Sequence, residues 1–292
     1  MLTRIITGVV GAAVAVLLIT RGHEPFSLAV VALAMFGWQE YRCMAASKGV
    51  NIYYLTSGMG ALLLPALAAA AYYFNIEALY AMAFMTMLAS LFAIFSAAEA
   101  LYRHCRCAEA DWARHAAANV WGMVYTGLLL AHVILLRSMD GPRLDLGFHI
   151  FEYGEACLWT VLLGTWASDT FAYFVGRACG RRPFCSVSPK KSLEGAIGGF
   201  IGCLAVTAAC GIIGLGIPLW QAVTVAVGVA VFAPLGDLVE SVLKRTFDVK
   251  DSGKLLPGHG GVLDRFDSLL FTAPVAYYLF MIMSIADYFI TD

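Results

Sequence analysis

The sequence predicts an all-α fold: a polytopic integral membrane protein of about nine transmembrane helices, with its N-terminus in the cytoplasm. Three observations predict it. Of 292 residues, 61% are hydrophobic and 13% charged, whereas an ordinary globular domain carries about 25% charged residues. Apolar runs of roughly 17–25 residues, the length that crosses a hydrocarbon core, recur along the whole chain. The basic residues, finally, crowd onto alternate loops. No stretch is long enough for a separate soluble domain, so residues 1–292 read as a single membrane domain. The net charge of −1 gives no reason to expect a nucleic-acid partner.

The runs fall at 5–20, 26–42, 54–74, 77–99, 116–136, 157–176, 195–214, 218–236 and 269–288. The first resembles a secretory leader, but Thr20-Arg21-Gly22-His23 offers no small-residue cleavage site, so it is kept as a span. Its Gly8, Gly11, Ala12 and Ala15 would let another helix approach closely. Residues 100–115 form a charged loop. Its His104-Cys105-Arg106-Cys107 lacks the second ligand pair that a zinc site needs. Residues 137–155, with Asp140, Asp145, Glu152 and Glu155, read as an external loop with an interfacial segment. With nine spans, the N-terminus and every second loop share one side. Of the nineteen basic residues, only Arg21, Arg137 and Arg143 fall on the other. The positive-inside rule makes the rich side cytoplasmic and places the C-terminus outside. All eight cysteines lie within spans or on the cytoplasmic side, where thiols stay reduced.

Chemistry concentrates in the second half. Asp169 lies eight residues before Arg177, about 12 Å into its helix at 1.5 Å per residue. An ionisable group at that depth is costly unless it faces a partner or a watery cavity. Thr165, Asp169, Tyr173 and Arg177 follow a spacing of four and form one polar stripe. Asp237, Glu240, Ser241 and Lys244 form a second, at the end of the 218–236 run. The loops 177–194 and 244–268 are basic and rich in Gly, Pro and Ser. Ser188-Pro189-Lys190-Lys191-Ser192 sets two ammonium groups and two hydroxyls before a glycine-rich helix start, a combination suited to phosphates or to anionic lipid headgroups. In Pro257-Gly-His259-Gly260-Gly261-Val-Leu-Asp264-Arg265-Phe-Asp267, the glycines let backbone amides approach a ligand. Asp237, Asp264 and Asp267 offer hard oxygen donors for Mg²⁺, although Asp267-Ser268 could instead cap the last helix. Acid, base and glycine at the inner membrane face point to metal-assisted phosphoryl or nucleotidyl transfer on a substrate held in the bilayer.

These blocks resemble the signature of the phosphatidate cytidylyltransferase (CDP-diacylglycerol synthase) family. The resemblance rests on Ser241-Val-Leu-Lys244-Arg245, Lys250-Asp251-Ser-Gly253 and the stretch 257–267. Asp169-Thr-Phe-Ala172-Tyr173 with Gly176-Arg177, and Ser188 to Gly195, match upstream blocks. The match is specific over about 165–270, so residues 157–288 hold the catalytic helices and loops. Residues 1–150 match only in being hydrophobic with an Arg-Ile-Ile-Thr-Gly start. Asp248 stands where glycine is more often expected.

The resemblance implies CTP and phosphatidic acid as substrates, CDP-diacylglycerol and pyrophosphate as products, and Mg²⁺, with a second metal ion allowed. It also implies a homodimer in the inner (cytoplasmic) membrane, with the active site facing the cytoplasm. Carried over, Asp237 and Asp264 would bind metal, with Asp169 and Asp267 as further ligands. Lys190, Lys191, Lys244, Arg245 and Arg265 would neutralise phosphates, with Asp237, Asp264, Lys244 and Arg265 at the reacting centre. Ser188, Lys250, Asp251, His259, Gly260 and Gly261 would contact substrate. Two other readings fit the charge pattern: a CTP-dependent kinase of a polyprenol-type lipid, and a transporter using Asp169 and Asp237. The second lacks an inverted repeat of broken helices.

Overall fold

The computed structural model describes residues 2–107, 110–145, 147, 149–185, 188, 191–255 and 260–291, with side chains from Thr7 to Ala286. Lys190 and His259, and with them Pro257 and Gly258, lie outside the described residues. The fold is helical throughout: α1 Leu2–Arg21, α2 His23–Ala46, α3 Met59–Tyr73, α4 Ala78–Cys107, α5 Trp112–Met123, α6 Leu129–Arg137, α7 Tyr153–Cys179, α8 Leu193–Ala209, α9 Leu219–Thr246 and α10 Leu263–Thr291. Single π-turns at Tyr54–Gly58, Val124–Leu128 and Cys210–Gly214 join or extend α3, α5 and α8. Two two-residue strands, β1 (Leu144–Asp145) and β2 (Ile150–Phe151), pair antiparallel within the segment expected to be an interfacial loop.

Among the described residues, six helical segments are long and apolar enough to cross a membrane: 54–73, 78–107, 112–137, 193–214, 219–246 and 263–286. The protein is thus a multi-pass helical membrane protein. α2 and α7 have the length, at 24 and 27 residues, but polar side chains dilute them. Those are Gln39, Glu40 and Arg42 in α2, and Thr165, Asp169 and Arg177 in α7. Helix boundaries run past most of the hydrophobic runs, and furthest at two places. α4 continues to Cys107 and α5 begins at Trp112, so most of the expected 100–115 loop is helical, and α9 continues to Thr246, ten residues beyond its apolar run. In both, the added turns are charged and amphipathic, and hydropathy alone does not see them.

The chain divides into two compact units, Met1–Leu135 with Thr246–Arg265, and Leu136–Arg245 with Phe266–Asp292. In the first, α2, α3 and α5 pack around Trp38, Tyr41, Leu64, Met123 and Tyr125, all nearly or fully buried. Two polar side chains inside this core are paired: Trp38 Nε1 donates to Ser57 Oγ (2.9 Å), and Asn119 accepts from Tyr53 N (2.6 Å) and donates to Asn51 O (2.9 Å). Pairing of this kind is the condition for burying such groups without penalty.

In the second unit, α7 and α8 lie almost backbone to backbone. Gly195, Gly198, Gly199 and Gly202 face Ala172, Val175, Ser168 and Phe171, with no room for a side chain at any of the four. Small residues in this register replace the missing hydrophobic driving force between helices in lipid. Thr165 meets Thr272 across α7 and α10 (3.3 Å). At the start of α7, buried Arg137 pairs with Glu152 (2.7 Å) and His149 with buried Glu155 (3.2 Å).

Candidate active site

Functional side chains gather in two groups, one in each unit. In the second unit the carboxylates come from three helices: Asp169 from α7, Asp237 from α9 and Asp267 from α10. Glycine sets their approach. A Cβ at Gly236 would stand 2.4 Å from Asp267 O and 3.0 Å from Ser268 Cα, so only glycine lets α9 lie against α10 one residue before Asp237. Asp169 and Asp267 each feel the charge of Asp237, and Asp267 also that of Asp169. Two ammonium groups answer them. Lys191 Nζ forms an ion pair with Asp237 Oδ2 and acts on Asp169 as well. Lys244 pairs with Glu240 one turn back on α9 (2.6 Å) and acts on Asp267. Glu240 is buried, 1% exposed, so this acid of the predicted stripe is committed to holding Lys244. Of the other stripe, Thr165 is buried against α10, while Arg177 Nη1 donates to Tyr173 Oη (3.2 Å).

The loop that delivers Lys191 is built by short-range capping. Ser192 Oγ accepts from Gly195 N (3.1 Å) and caps α8. Glu194 accepts from the amides of Arg181 (3.0 Å) and Arg182 (3.2 Å). Backbone bonds from Phe184 N to Lys191 O (2.7 Å) and from Leu193 N to Arg182 O (2.9 Å) close the turn, and Lys191 N donates to Ser188 O (3.0 Å). Ser188 therefore serves this turn through its carbonyl.

In the first unit, Ser252, Gly253, Gly260 and Gly261 lie against two carboxylates. Asp264 Oδ2 accepts from Ser252 N (2.9 Å), Ser252 Oγ (3.0 Å) and Gly261 N (2.8 Å). Gly260 has φ +86°, and a Cβ there would stand 2.6 Å from that same oxygen. Left-handed backbone and close approach together require glycine. The second carboxylate is Glu40, which sequence reasoning missed. It is 9% exposed on α2 and accepts from Val262 N (2.8 Å), Leu263 N (3.0 Å) and Ser252 Oγ (3.0 Å). Side chains at Gly253 or Gly261 would collide with it. Its sequence signal is weak, because Glu40 lies two residues before the end of its apolar run, beside Arg42. Asp248, the position where glycine was expected, has φ +55°, a region that Asp tolerates. Its carboxylate pairs with Lys48. Arg245, Lys250, Asp251 and Arg265 are exposed.

Among the described residues, no three His, Cys, Asp or Glu side chains converge closely enough to hold a metal unaided. All eight cysteines are free thiols. His104, Cys105 and Cys107 lie on α4 rather than in a loop, and they form no metal cluster among the described residues.

Residues 2–283 match the family described as "Cytidylyltransferase family". A phosphatidate cytidylyltransferase of Synechocystis is 32% identical over 300 residues, covering 96% of each chain. One from Bacillus subtilis is 39% identical over 163 residues, 55% of this chain and 56% of that protein. One from Thermotoga maritima is 45% identical over 139 residues, covering 45% and 52%. The chain thus spans the Synechocystis protein almost entirely, and about half the length of the other two.

Proposed function

From the premise that this chain belongs to the cytidylyltransferase family, we propose that it transfers the cytidylyl group of CTP to phosphatidic acid. The products are CDP-diacylglycerol and pyrophosphate. A phosphate oxygen of the lipid attacks the α-phosphorus of CTP in line. The bond from that phosphorus to the α,β-bridging oxygen breaks, and its electron pair leaves with pyrophosphate. The attacking oxygen is already anionic near neutral pH, so no side chain has to accept a proton. Neutralising and positioning two phosphate groups is the whole task.

The observation that carries this reading is the Lys191–Asp237 ion pair beside Asp169 and Asp267, on helices otherwise built for lipid. Before substrate arrives, the carboxylates hold the ammonium groups of Lys191 and Lys244 in place; a triphosphate would draw on the same charges. Lys190, Arg245 and Arg265 add to the neutralisation. Ser188, Lys250, Asp251, His259, Gly260 and Gly261 are assigned to substrate contacts.

The donor set fits Mg²⁺ by its chemistry. Asp169, Asp237 and Asp267 are hard oxygen ligands whose charges repel one another, and Mg²⁺ characteristically completes its shell with waters and substrate phosphates. Asp237 is assigned as the principal ligand, with Asp169 and Asp267 beside it. Asp264 keeps the metal role that the resemblance gives it, while its Oδ2 also anchors the loop. When bound, Mg²⁺ or a pair of such ions supplies charge neutralisation at the phosphates.

Nine spans, a cytoplasmic N-terminus and a site on the cytoplasmic face of the inner membrane follow from the distribution of basic residues. A homodimer is assigned on the resemblance alone. The test is where label goes. With CTP labelled at the α-phosphorus, the lipid product should carry the label and unlabelled pyrophosphate should be released. Label entering lipid from the γ-position, with CDP released, would identify a lipid kinase instead.

A further inference from the structure

We infer that Glu40, far from every motif in sequence, is a positioning residue that holds the glycine loop and the first turn of α10 in working order. The inference rests on the cytidylyl-transfer reading above. Glu40 faces the loop from α2 at a separation of 212 residues from Ser252 and 223 from Leu263. Its two oxygens divide the work. Oε1 accepts from Val262 N at 2.8 Å; Oε2 accepts from Leu263 N at 3.0 Å and from Ser252 Oγ at 3.0 Å. Val262 precedes α10 and Leu263 begins it, where backbone amides have no partner within the helix and the helix dipole favours a negative charge. Glu40 thus caps α10 from another helix. Ser252 Oγ also lies 3.0 Å from Asp264 Oδ2, so a single hydroxyl joins the capping acid to the acid of the signature.

The rest of the same α2 face, with the turn after it, meets the two ends of the loop at Phe247, Asp248 and Leu263. Gly37 sits under Leu263, with only 3.0 Å for a Cβ. Tyr41 meets the ring of Phe247 edge-on at 6.0 Å. Just past the helix, Ser47 Oγ donates to Phe247 O (3.2 Å) and Lys48 pairs with Asp248. Gly37, Glu40 and Tyr41 follow the i, i+3, i+4 spacing of one helical face. The part of the chain with the weakest motif content is therefore the template for the part with the strongest.

Glu40→Gln keeps the shape but replaces one acceptor oxygen with an amide donor, so either Val262 N or the Leu263–Ser252 pair loses its partner. The expected loss in kcat is about 10–100-fold, the usual cost of removing a group that orients a ligand-bearing residue. KM for phosphatidate should stay within threefold, because Glu40 is buried with its oxygens on Ser252, Val262 and Leu263. Glu40→Asp, which keeps both acceptors, should recover at least half of the loss on a logarithmic scale. A second readout needs no activity. In the full-length protein in detergent, trypsin should cut Glu40→Gln several-fold faster at Lys250 and Lys254, while cutting at Arg181 and Arg182 is unchanged. Wild-type kcat in Glu40→Gln, unchanged cleavage at Lys250 and Lys254, or acceleration at all four sites together would each overturn the inference. An inactive wild type would instead sink the cytidylyl-transfer reading, and the cleavage pattern would still decide the role of Glu40 in the loop.

Discussion

Asp237 is pulled two ways: the Lys191 ammonium holds one of its oxygens, while Asp169 and Asp267 repel it. Replacing it with asparagine removes the charge and keeps the volume. Turnover should fall by roughly a hundredfold or more, the scale on which one preorganised electrostatic contact acts in a water-poor site. The folded fraction should change little, because one carboxylate fewer relieves repulsion; initial rates beside a thermal melt in detergent check both. Lys191→Met acts in the opposite sense. It leaves Asp237 and Asp169 without the ammonium group that acts on both, so both rate and melting temperature should drop. Asp169 and Asp237 were legible in the sequence because a charge within an apolar helix has few cheap explanations. Glu40 was not. Its run ends at 42 by hydropathy, and a carboxylate two residues from such an end costs little where it reaches the interface. Because α2 continues to Ala46, Glu40 is instead buried, with partners that no local pattern can name.

At the scale of elements, backbone contacts position the charges. Gly236 places α9 against the backbone of Asp267 and Ser268. Gly236→Ala must push the helices apart, which should cost about 1–3 kcal/mol by overpacking and lower activity further than stability alone explains. The check is a melt and a rate on the same preparation. Gly260→Ala probes the loop. The left-handed conformation costs a side chain about 1–2 kcal/mol, and the new Cβ would press on Asp264 Oδ2. Activity should fall while the second unit's helices, followed by protease resistance, stay intact. The existence of these elements was readable from hydropathy and glycine content. Their ends were not: α4 and α9 run on through charged turns that satisfy a helix but not a hydropathy window. The same dilution leaves α2 and α7, which carry Glu40 and Asp169, outside the six most apolar segments.

For the whole molecule, the distribution of charge makes a topological claim. All but Arg21, Arg137 and Arg143 of the basic residues lie on one side if nine spans are counted, and nine spans put the two termini on opposite faces. A reporter active only outside the cytoplasm, fused at the C-terminus, should therefore be active, and the same reporter fused at residue 188 should be silent. An active fusion at 188 would reverse the orientation and take the site away from cytoplasmic CTP. The most direct measurement of the central claim is the transfer of label from α-labelled CTP into extractable lipid, with phosphatidate and Mg²⁺, by the wild-type protein and by Asp237→Asn side by side. The account predicts labelled CDP-diacylglycerol from the wild type and at most about a hundredth of that rate from the variant. Equal rates from both proteins would contradict the assignment of Asp237, and no labelled lipid from the folded wild type would contradict the function.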